Sequence, residues 1–175
     1  FQPSVHKRDV ISLEPGTISM TGNPLDIALL DKTVLGIQAE NGDIGFTRRG
    51  DLRVSASGVI ETSVGHLVMG EAGPITAPQG QLISISPDGT LYAKSTIDPE
   101  TPAVEIGQLM LRDASQTTLI RREDGLFEPL DIEFRGRDFP TGPLVASVQS
   151  GGLEGSNVNP IEAMVKMMDF SRSFE

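Results

Sequence analysis

Short runs of alternating apolar and polar residues, separated by turn residues, make up most of the chain. Residues 33–39 and 44–47 flank an Asn-Gly pair at 41–42, which supplies the positive φ angles of a tight hairpin turn. Another two runs flank Pro-Asp-Gly at 87–89, where proline presets φ and glycine takes the left-handed position. This spacing predicts an antiparallel β-meander and not alternating strands and helices.

Three further patterns extend this prediction towards the end of the chain. Leu130, Ile132 and Phe134 alternate with charged residues, which predicts a half-buried strand. The alternating runs on either side of Gly107 are out of phase, which predicts a β-bulge. Residues 144–149 are predicted to form the last strand.

One amphipathic helix is predicted at the end of the chain. The apolar residues that share one face at helical spacing are Ile161, Met164, Val165 and Met168. Asn159 is suited to cap the first free amides of this helix. The apolar face has two candidate partners: the core of this chain, or a second helix that the sequence lacks. Because the pattern continues without a stop signal, we interpret the sequence as the core of a longer chain.

The predicted elements define a mainly β fold of short antiparallel strands with one C-terminal helix. Residues 1–20 are polar and interrupted by prolines, so we expect an extended linker entering the domain. Residues 21–150 are expected to form the β-rich domain. Residues 151–175 are expected to contain the start of the helix.

The composition of the chain excludes several classes of binding partner and of chemistry. The formal net charge of −10 argues against binding to nucleic acid or to an anionic membrane surface. The sequence contains no cysteine, so thiol nucleophiles, disulfides and thiolate metal sites are excluded. No apolar run approaches the roughly 18 residues of a membrane-spanning helix, and we predict no membrane insertion.

The sequence offers no constellation of residues that would support catalysis. The two histidines, His6 and His66, lie far apart and lack metal-ligand spacing, so we expect His66 to be a packed or surface aromatic. No nucleophile elbow, phosphate-binding loop or dinucleotide motif occurs. With 24 acidic residues, pairs of carboxylates arise by chance. We therefore predict no catalytic residue, no cofactor site, no metal site and no small-molecule substrate.

Two other classes of function stay open from the residues alone. One is a β-rich extracellular binding module, for example for a glycan, and the other is a hydrolase that uses two carboxylates. A glycan platform needs aromatic side chains, yet the chain has no tryptophan and a single tyrosine, Tyr92. A hydrolase would need two carboxylates that face one cleft at a suitable separation.

Several stretches of the chain carry motifs in a defined order. Residues 21–28 read Thr-Gly-Asn-Pro-Leu-Asp-Ile-Ala, and residues 46–52 read Phe-Thr-Arg-Arg-Gly-Asp-Leu. Residues 152–164 read Gly-Leu-Glu-Gly-Ser-Asn-Val-Asn-Pro-Ile-Glu-Ala-Met. Together they resemble the flagellar basal-body rod protein family. The resemblance marks as family-motif and assembly residues Thr21, Gly22, Asn23, Pro24, Leu25, Asp26, Thr47, Arg48, Gly50, Leu153, Glu154, Ser156, Asn157, Val158, Asn159, Met164, Phe174 and Glu175.

This resemblance implies a rod/hook-type β-domain and a structural role. Members are exported by the flagellar type III apparatus and polymerise helically into the periplasmic rod of the basal body. The implied partners are other rod subunits and further copies of the chain, which meet through terminal helices. A subunit of this kind should bring the two ends of its β-domain close together.

Two details refine the resemblance. Residues 70–75 and 171–175 are most similar to proximal rod members of the family, with distal rod members second. Residues 30–35 read Leu-Asp-Lys-Thr-Val-Leu, where the family usually has a Gly-Asp-Gly-Phe-Phe type of turn. This segment therefore departs from the family pattern in the residues that form the turn.

Overall fold

The computed structural model describes residues 10–155, which form short antiparallel strands and one 3-10 helix, Ile132–Phe134. The strands are β1 Ile18–Met20, β2 Ile27–Leu29, β3 Thr33–Gln38, β4 Ile44–Thr47, β5 Leu52–Val54, β6 Ile60–Thr62, β7 Leu67–Gly70, β8 Gly73–Pro74, β9 Gln81–Ile85, β10 Thr90–Ser95, β11 Val104–Gln108, β12 Leu111–Asp113, β13 Leu119–Arg121, β14 Phe127–Pro129, β15 Val148–Ser150 and β16 Gly152–Glu154. The chain is therefore mainly β, as the alternating pattern predicts. Within residues 10–155, no helix is long and apolar enough to cross a membrane.

A nine-stranded sheet organises the fold around β3. One edge of β3 pairs with β4, with Gly36 opposite Phe46. Its other edge pairs with β12 at its beginning and with β7 at its end. The strand order is β13-β14-β4-β3-β7-β6-β5, with β8 beside β7. All of these pairings are antiparallel, as predicted, but the sheet is not a simple meander, because β3 lies beside β7 and β12, and β4 lies beside β14.

The two hairpins predicted from their turn residues are present. β3 and β4 are joined through Gly42, which has a φ of +90°, and its amide donates to the carbonyl of Ala39 at 2.9 Å. β9 and β10 are joined through Gly89, with a φ of +88°. Both glycines adopt the left-handed conformation, whereas Asn41 does not have the positive φ that was predicted for the Asn-Gly pair.

The predicted bulge lies in the three-stranded sheet β11-β10-β9. Leu91 of β10 lies opposite Gly107, but the next residue, Tyr92, lies opposite Glu105. Ile106 is the extra residue on β11, so the phase shift in the sequence marks the bulge correctly.

The core consists of two apolar clusters on opposite faces of β3. Leu35 and Ile37 belong to the larger cluster, whereas Val34 belongs to a second cluster built around Phe46 and Phe139. The rings of Phe46 and Phe139 meet edge to face, with centroids 4.9 Å apart. β3 is therefore buried on both faces, which explains its continuous apolar sequence.

The strand predicted from Leu130, Ile132 and Phe134 is wrong. Ile132 is 78% exposed and lies in the 3-10 helix. The carboxylate of Asp131 accepts a hydrogen bond from the amide of Glu133 at 3.0 Å, which caps this helical turn. Asp131, which the alternating pattern placed on the polar face of a strand, caps the 3-10 helix instead.

Two further strand predictions need correction. β13, Leu119–Arg121, has no counterpart among the predicted strands, because three residues are too few to show an alternating pattern. The last strand is shorter than residues 144–149: Val145 is 80% exposed, and pairing begins at Val148.

The segments on both sides of residues 21–150 are also paired with this domain. Leu13 is buried, Val10 bridges to Ile120, and β1 is a paired strand, so residues 10–20 are packed on the domain and do not form a free linker. β16 shows that the segment after residue 151 begins as a strand. The helix expected from Asn159 onward lies outside the described residues.

The turn at residues 30–33 forms even though it contains no glycine. Asp31 has a φ of +50°, the one positive value among non-glycine residues in the part of the chain described. The amide of Thr33 donates to the carbonyl of Leu30 at 2.9 Å, which closes the turn. Aspartate tolerates the left-handed region better than most residues do.

Candidate functional site

The two ends of the described chain meet in a short two-stranded ribbon. β1 and β16 pair antiparallel, with Ile18 opposite Glu154. The amide of Gly155 donates to the carbonyl of Thr17 at 2.7 Å. We call this pair of strands the terminal ribbon. It confirms, for the described residues, the expectation that the ends lie close together.

An ion pair fastens the terminal ribbon to the central sheet. Arg48 follows β4, and its Nε and Nη2 each donate to one carboxylate oxygen of Glu154 at 2.9 Å. Its Nη1 donates to the carbonyl of Thr33 on β3 at 2.8 Å. The side chains are only 13% and 10% exposed. A bidentate pair of this kind is geometrically specific as well as charge-assisted.

The same carboxylate also holds the N-terminal segment. The amide of Gly16 donates to Oε2 of Glu154 at 2.9 Å. Burial raises the pKa of Glu154, but the hydrogen bonds from Arg48 and Gly16 and the charge of Arg48 outweigh it, so the pKa is lowered. Glu154 is thus held in its ionised form by groups from two distant parts of the chain.

The motif at residues 21–26 folds into a turn that contacts the start of β16. The hydroxyl of Thr21 donates to the carboxylate of Asp26 at 2.6 Å, and the side chain of Asn23 accepts from the amide of Leu25 at 3.0 Å. The amides of Thr21 and Gly22 donate to the carbonyl of Gly151 at 2.9 and 3.1 Å. This motif therefore positions the C-terminal segment through backbone hydrogen bonds.

Gly50 is required where a loop crosses β2. The amide of Ile27 donates to the carbonyl of Gly50 at 2.9 Å. A Cβ atom on Gly50 would overlap the carbonyl oxygen of Ile27, so no other residue fits without backbone movement. The neighbouring Thr47 is buried, and its hydroxyl accepts from the amide of Arg49 at 3.1 Å.

Three motifs that are far apart in sequence thus converge on the terminal ribbon. Pro24 joins the convergence because its carbonyl accepts from the hydroxyl of Ser150 at 2.8 Å, and Leu25 packs partly buried against the larger core cluster. Leu153 is half-buried within β16. The other residues that the resemblance marks lie outside the described part of the chain: Ser156, Asn157, Val158, Asn159, Met164, Phe174 and Glu175.

A cleft of about 370 Å³ opens beside the ribbon. Its wall combines residues 11–14, residues 47–51, Phe127 and residues 153–155. Two of the carboxylates here are neutralised by arginines, because Asp51 pairs with Arg49 at 2.7 Å and Glu154 pairs with Arg48. The arrangement joins chain segments, and neither carboxylate is left as a free acid or base.

Two half-buried arginines, Arg112 and Arg122, form comparable ion-pair clusters that the sequence analysis did not single out. The guanidinium of Arg112 forms hydrogen bonds with both oxygens of Glu71 and both oxygens of Asp138, at 2.8 to 3.1 Å. These bonds raise the pKa of Arg112. The partners are 41 and 26 residues away in sequence, so no local pattern connects them.

The second ion-pair cluster, at Arg122, lies in a separate cleft near the β13–β14 turn. Burial lowers the pKa of Arg122, but the hydrogen bond that it donates to Asp124 and the charges of Asp124, Glu128 and Asp43 raise the pKa overall. His66 also lines this cleft and is half-buried. Among residues 10–155, no three histidine or acidic side chains are grouped closely enough to hold a metal ion.

Comparison with known proteins identifies the family. A family model described as the flagellar hook protein FlgE/F/G D1 domain matches residues 34–93. A model described as the flagellar basal body rod FlgEFG protein C-terminal matches residues 149–175. The chain belongs to the flagellar basal-body rod protein family.

The sequence identity of the chain differs between the FlgF and FlgG members of that family. The chain is 41% identical over 166 residues to the flagellar basal-body rod protein FlgF of Salmonella typhimurium, covering 93% of this chain and 65% of that protein. It is 40% identical to FlgF of Escherichia coli, with the same coverage. Identity to FlgG of Caulobacter vibrioides is 29% over 167 residues, covering 93% of this chain and 61% of that protein. The similarity is thus of the FlgF type, and the chain spans 65% of the length of these FlgF relatives.

Proposed function

We propose that this chain is part of a structural subunit of the bacterial flagellar basal-body rod. The observation that carries the proposal is the terminal ribbon, in which both ends of the β-domain leave from one place. That arrangement suits a subunit whose terminal segments continue together into an assembly. The FlgF-type similarity over 93% of the chain supports the same conclusion.

The finer architecture is part of this proposal. Residues 21–150 correspond to a rod/hook-type β-domain, and the chain continues from Gly155 into the C-terminal helix that the sequence pattern predicts. The family-motif residues act as a scaffold that fixes where the terminal segments leave the domain. Partners are other rod subunits and further copies of the chain, contacted through terminal helices.

The proposed setting follows from the proposed role. The protein is exported by the flagellar type III apparatus and lies in the periplasmic part of the basal body. The role is mechanical, without a catalytic step, cofactor, metal, nucleic acid, membrane insertion or small-molecule substrate. Within the rod, the greater identity to FlgF than to the FlgG relative supports the proximal position.

The experiment that tests this function is a quantitative mass-spectrometric inventory of basal bodies purified from the source organism. We expect peptides of this chain in a fixed, low ratio to the other rod proteins. The matched control is a preparation from a strain that lacks the gene, which should contain neither these peptides nor a complete rod. Absence of the peptides from intact rods would refute the proposal.

A glycan-binding module is the alternative class of function. The single tyrosine, Tyr92, is half-buried on β10, and the chain contains no tryptophan for a stacking platform. Nothing in the described residues favours this alternative over the rod subunit. If the basal-body inventory failed, binding to glycan arrays would be the next measurement.

A further inference from the structure

We propose that the Arg48–Glu154 ion pair is a register lock for the terminal ribbon, whose loss frees the two terminal strands while the central sheet stays folded. The inference concerns the fold and does not depend on the proposed rod function. It assigns a positioning role to two side chains that touch no ligand.

The backbone hydrogen bonds from Thr21 and Gly22 to Gly151 hold the ribbon at the end where Met20 lies opposite Gly152, away from Glu154. Each strand contributes three residues, and two of the three in β1 are exposed. A two-stranded ribbon of this size is marginal in water without further support. Close packing adds some support, because a Cβ on Gly152 would lie 3.0 Å from Ile18 Cγ2.

The ion pair supplies the missing support from the rigid part of the molecule. Arg48 is anchored to β3 through the carbonyl of Thr33 at 2.8 Å, and β3 is buried on both faces. Glu154 meets this guanidinium with both oxygens and also accepts from the amide of Gly16 at 2.9 Å. One carboxylate therefore connects β16, the segment before β1 and the central sheet.

The geometry selects one register of pairing. A slip of one residue along β16 would turn the side chain of Glu154 to the opposite face of the ribbon. The carboxylate would then lose Arg48, leaving a nearly buried guanidinium without its two charge-assisted hydrogen bonds. The observed register, with Ile18 opposite Glu154, is the one that satisfies both groups.

The test is amide hydrogen exchange, measured by NMR on the full 175-residue chain and its variants. The reporter in the ribbon is the amide of Gly155, which donates to Thr17, and the reference is the amide of Gly36, which donates to Met110. In Arg48→Ala and in Glu154→Gln we expect exchange at Gly155 to rise about tenfold or more, with Gly36 unchanged, because local opening becomes easier.

Three variants sharpen this test. Glu154→Gln keeps the size of the side chain, so it serves if Arg48→Ala does not fold. Arg48→Lys keeps the charge but not the two-point contact, and should give an intermediate rate at Gly155. Arg53→Ala removes a more exposed ion pair to Glu61 on β5 and β6, and should change neither reporter. The inference is overturned if Gly155 is unaffected in the variants of Arg48 and Glu154, or if Gly36 accelerates by the same factor.

Discussion

Single residues that contact distant segments determine how the parts of this fold are joined, more than local conformational propensity does. Gly50 is the clearest case, because its position is dictated by the carbonyl of Ile27 from another strand. Arg48, Arg112 and Arg122 each connect segments that are distant in sequence. At this scale the molecule is held by single side chains with several partners.

Replacing Gly50 by alanine should destabilise the domain strongly. The added Cβ would overlap the backbone of Ile27, and relief requires movement of β2. We expect the free energy of unfolding to fall by about 3 kcal/mol, at the upper end for overpacking. Gly125→Ala is the control, because Gly125 has a φ of +86° but open space around it. It should cost only about 1 kcal/mol in denaturant titrations, and equal effects would contradict the argument.

The ionisation of Glu154 makes a pH-dependent contribution to stability. Because the pKa of Glu154 is lowered in the folded protein, its contribution is present above the unfolded value of about 4.3. The contribution is lost as the pH falls through the folded pKa. We therefore expect Glu154→Gln to be less stable than the parent at pH 7, and the difference to shrink as the pH falls below about 4. Denaturant titrations at both pH values measure it, and a pH-independent difference would contradict the assignment.

At the scale of elements, the turns were the most predictable part of the fold. Asn41-Gly42 and Pro87-Asp88-Gly89 predicted their hairpins correctly because those residues have few other conformational options. The alternation at residues 130–134 failed because a period of two in the sequence does not distinguish a strand from a capped helical turn. Short strands such as β13 are stabilised by partners that the local sequence does not reveal.

The candidate site, like the fold, could be predicted only in part from the sequence. The family motifs identified Arg48, Gly50 and Glu154, but only the structure shows that they converge. The ion-pair cluster at Arg112 had no sequence signal, because its partners Glu71 and Asp138 are distant in sequence. At Arg122 the local partner is Asp124, but the contact with Asp43 is 79 residues away in sequence and could not be predicted.

The turn at Asp31 yields a prediction at the element scale. A β-branched residue is strained at the φ of +50° that Asp31 adopts, so Asp31→Val should lower the free energy of unfolding by about 1–2 kcal/mol. Glu40→Val is the control, since Glu40 is exposed in a loop and is not among the residues with positive φ. The control should change stability by less than about 0.5 kcal/mol. Equal losses in thermal unfolding would show that strain at position 31 is unimportant.

At the scale of the whole molecule, the two apolar clusters share β3 and should unfold together. Phe46 is fully buried in the second cluster against Phe139. We expect Phe46→Ala to lower the free energy of unfolding by about 3–5 kcal/mol while the transition stays single. Ile97→Ala is the control, because Ile97 is 91% exposed. Two separate transitions, seen by circular dichroism and fluorescence of an extrinsic dye, would show that the clusters are independent.

The bond between Gly16 and Glu154 spans 138 residues of sequence, so it also bears on the order of folding. A contact of such separation forms late, because the loop must be closed before the interaction can form. A chain that emerges N-terminus first cannot form the Gly16–Glu154 hydrogen bond until residue 154 has emerged. The hairpins between these positions can form earlier, since their contacts are local. We therefore expect the two ends to join in the last step of folding, after the sheet that receives them has formed.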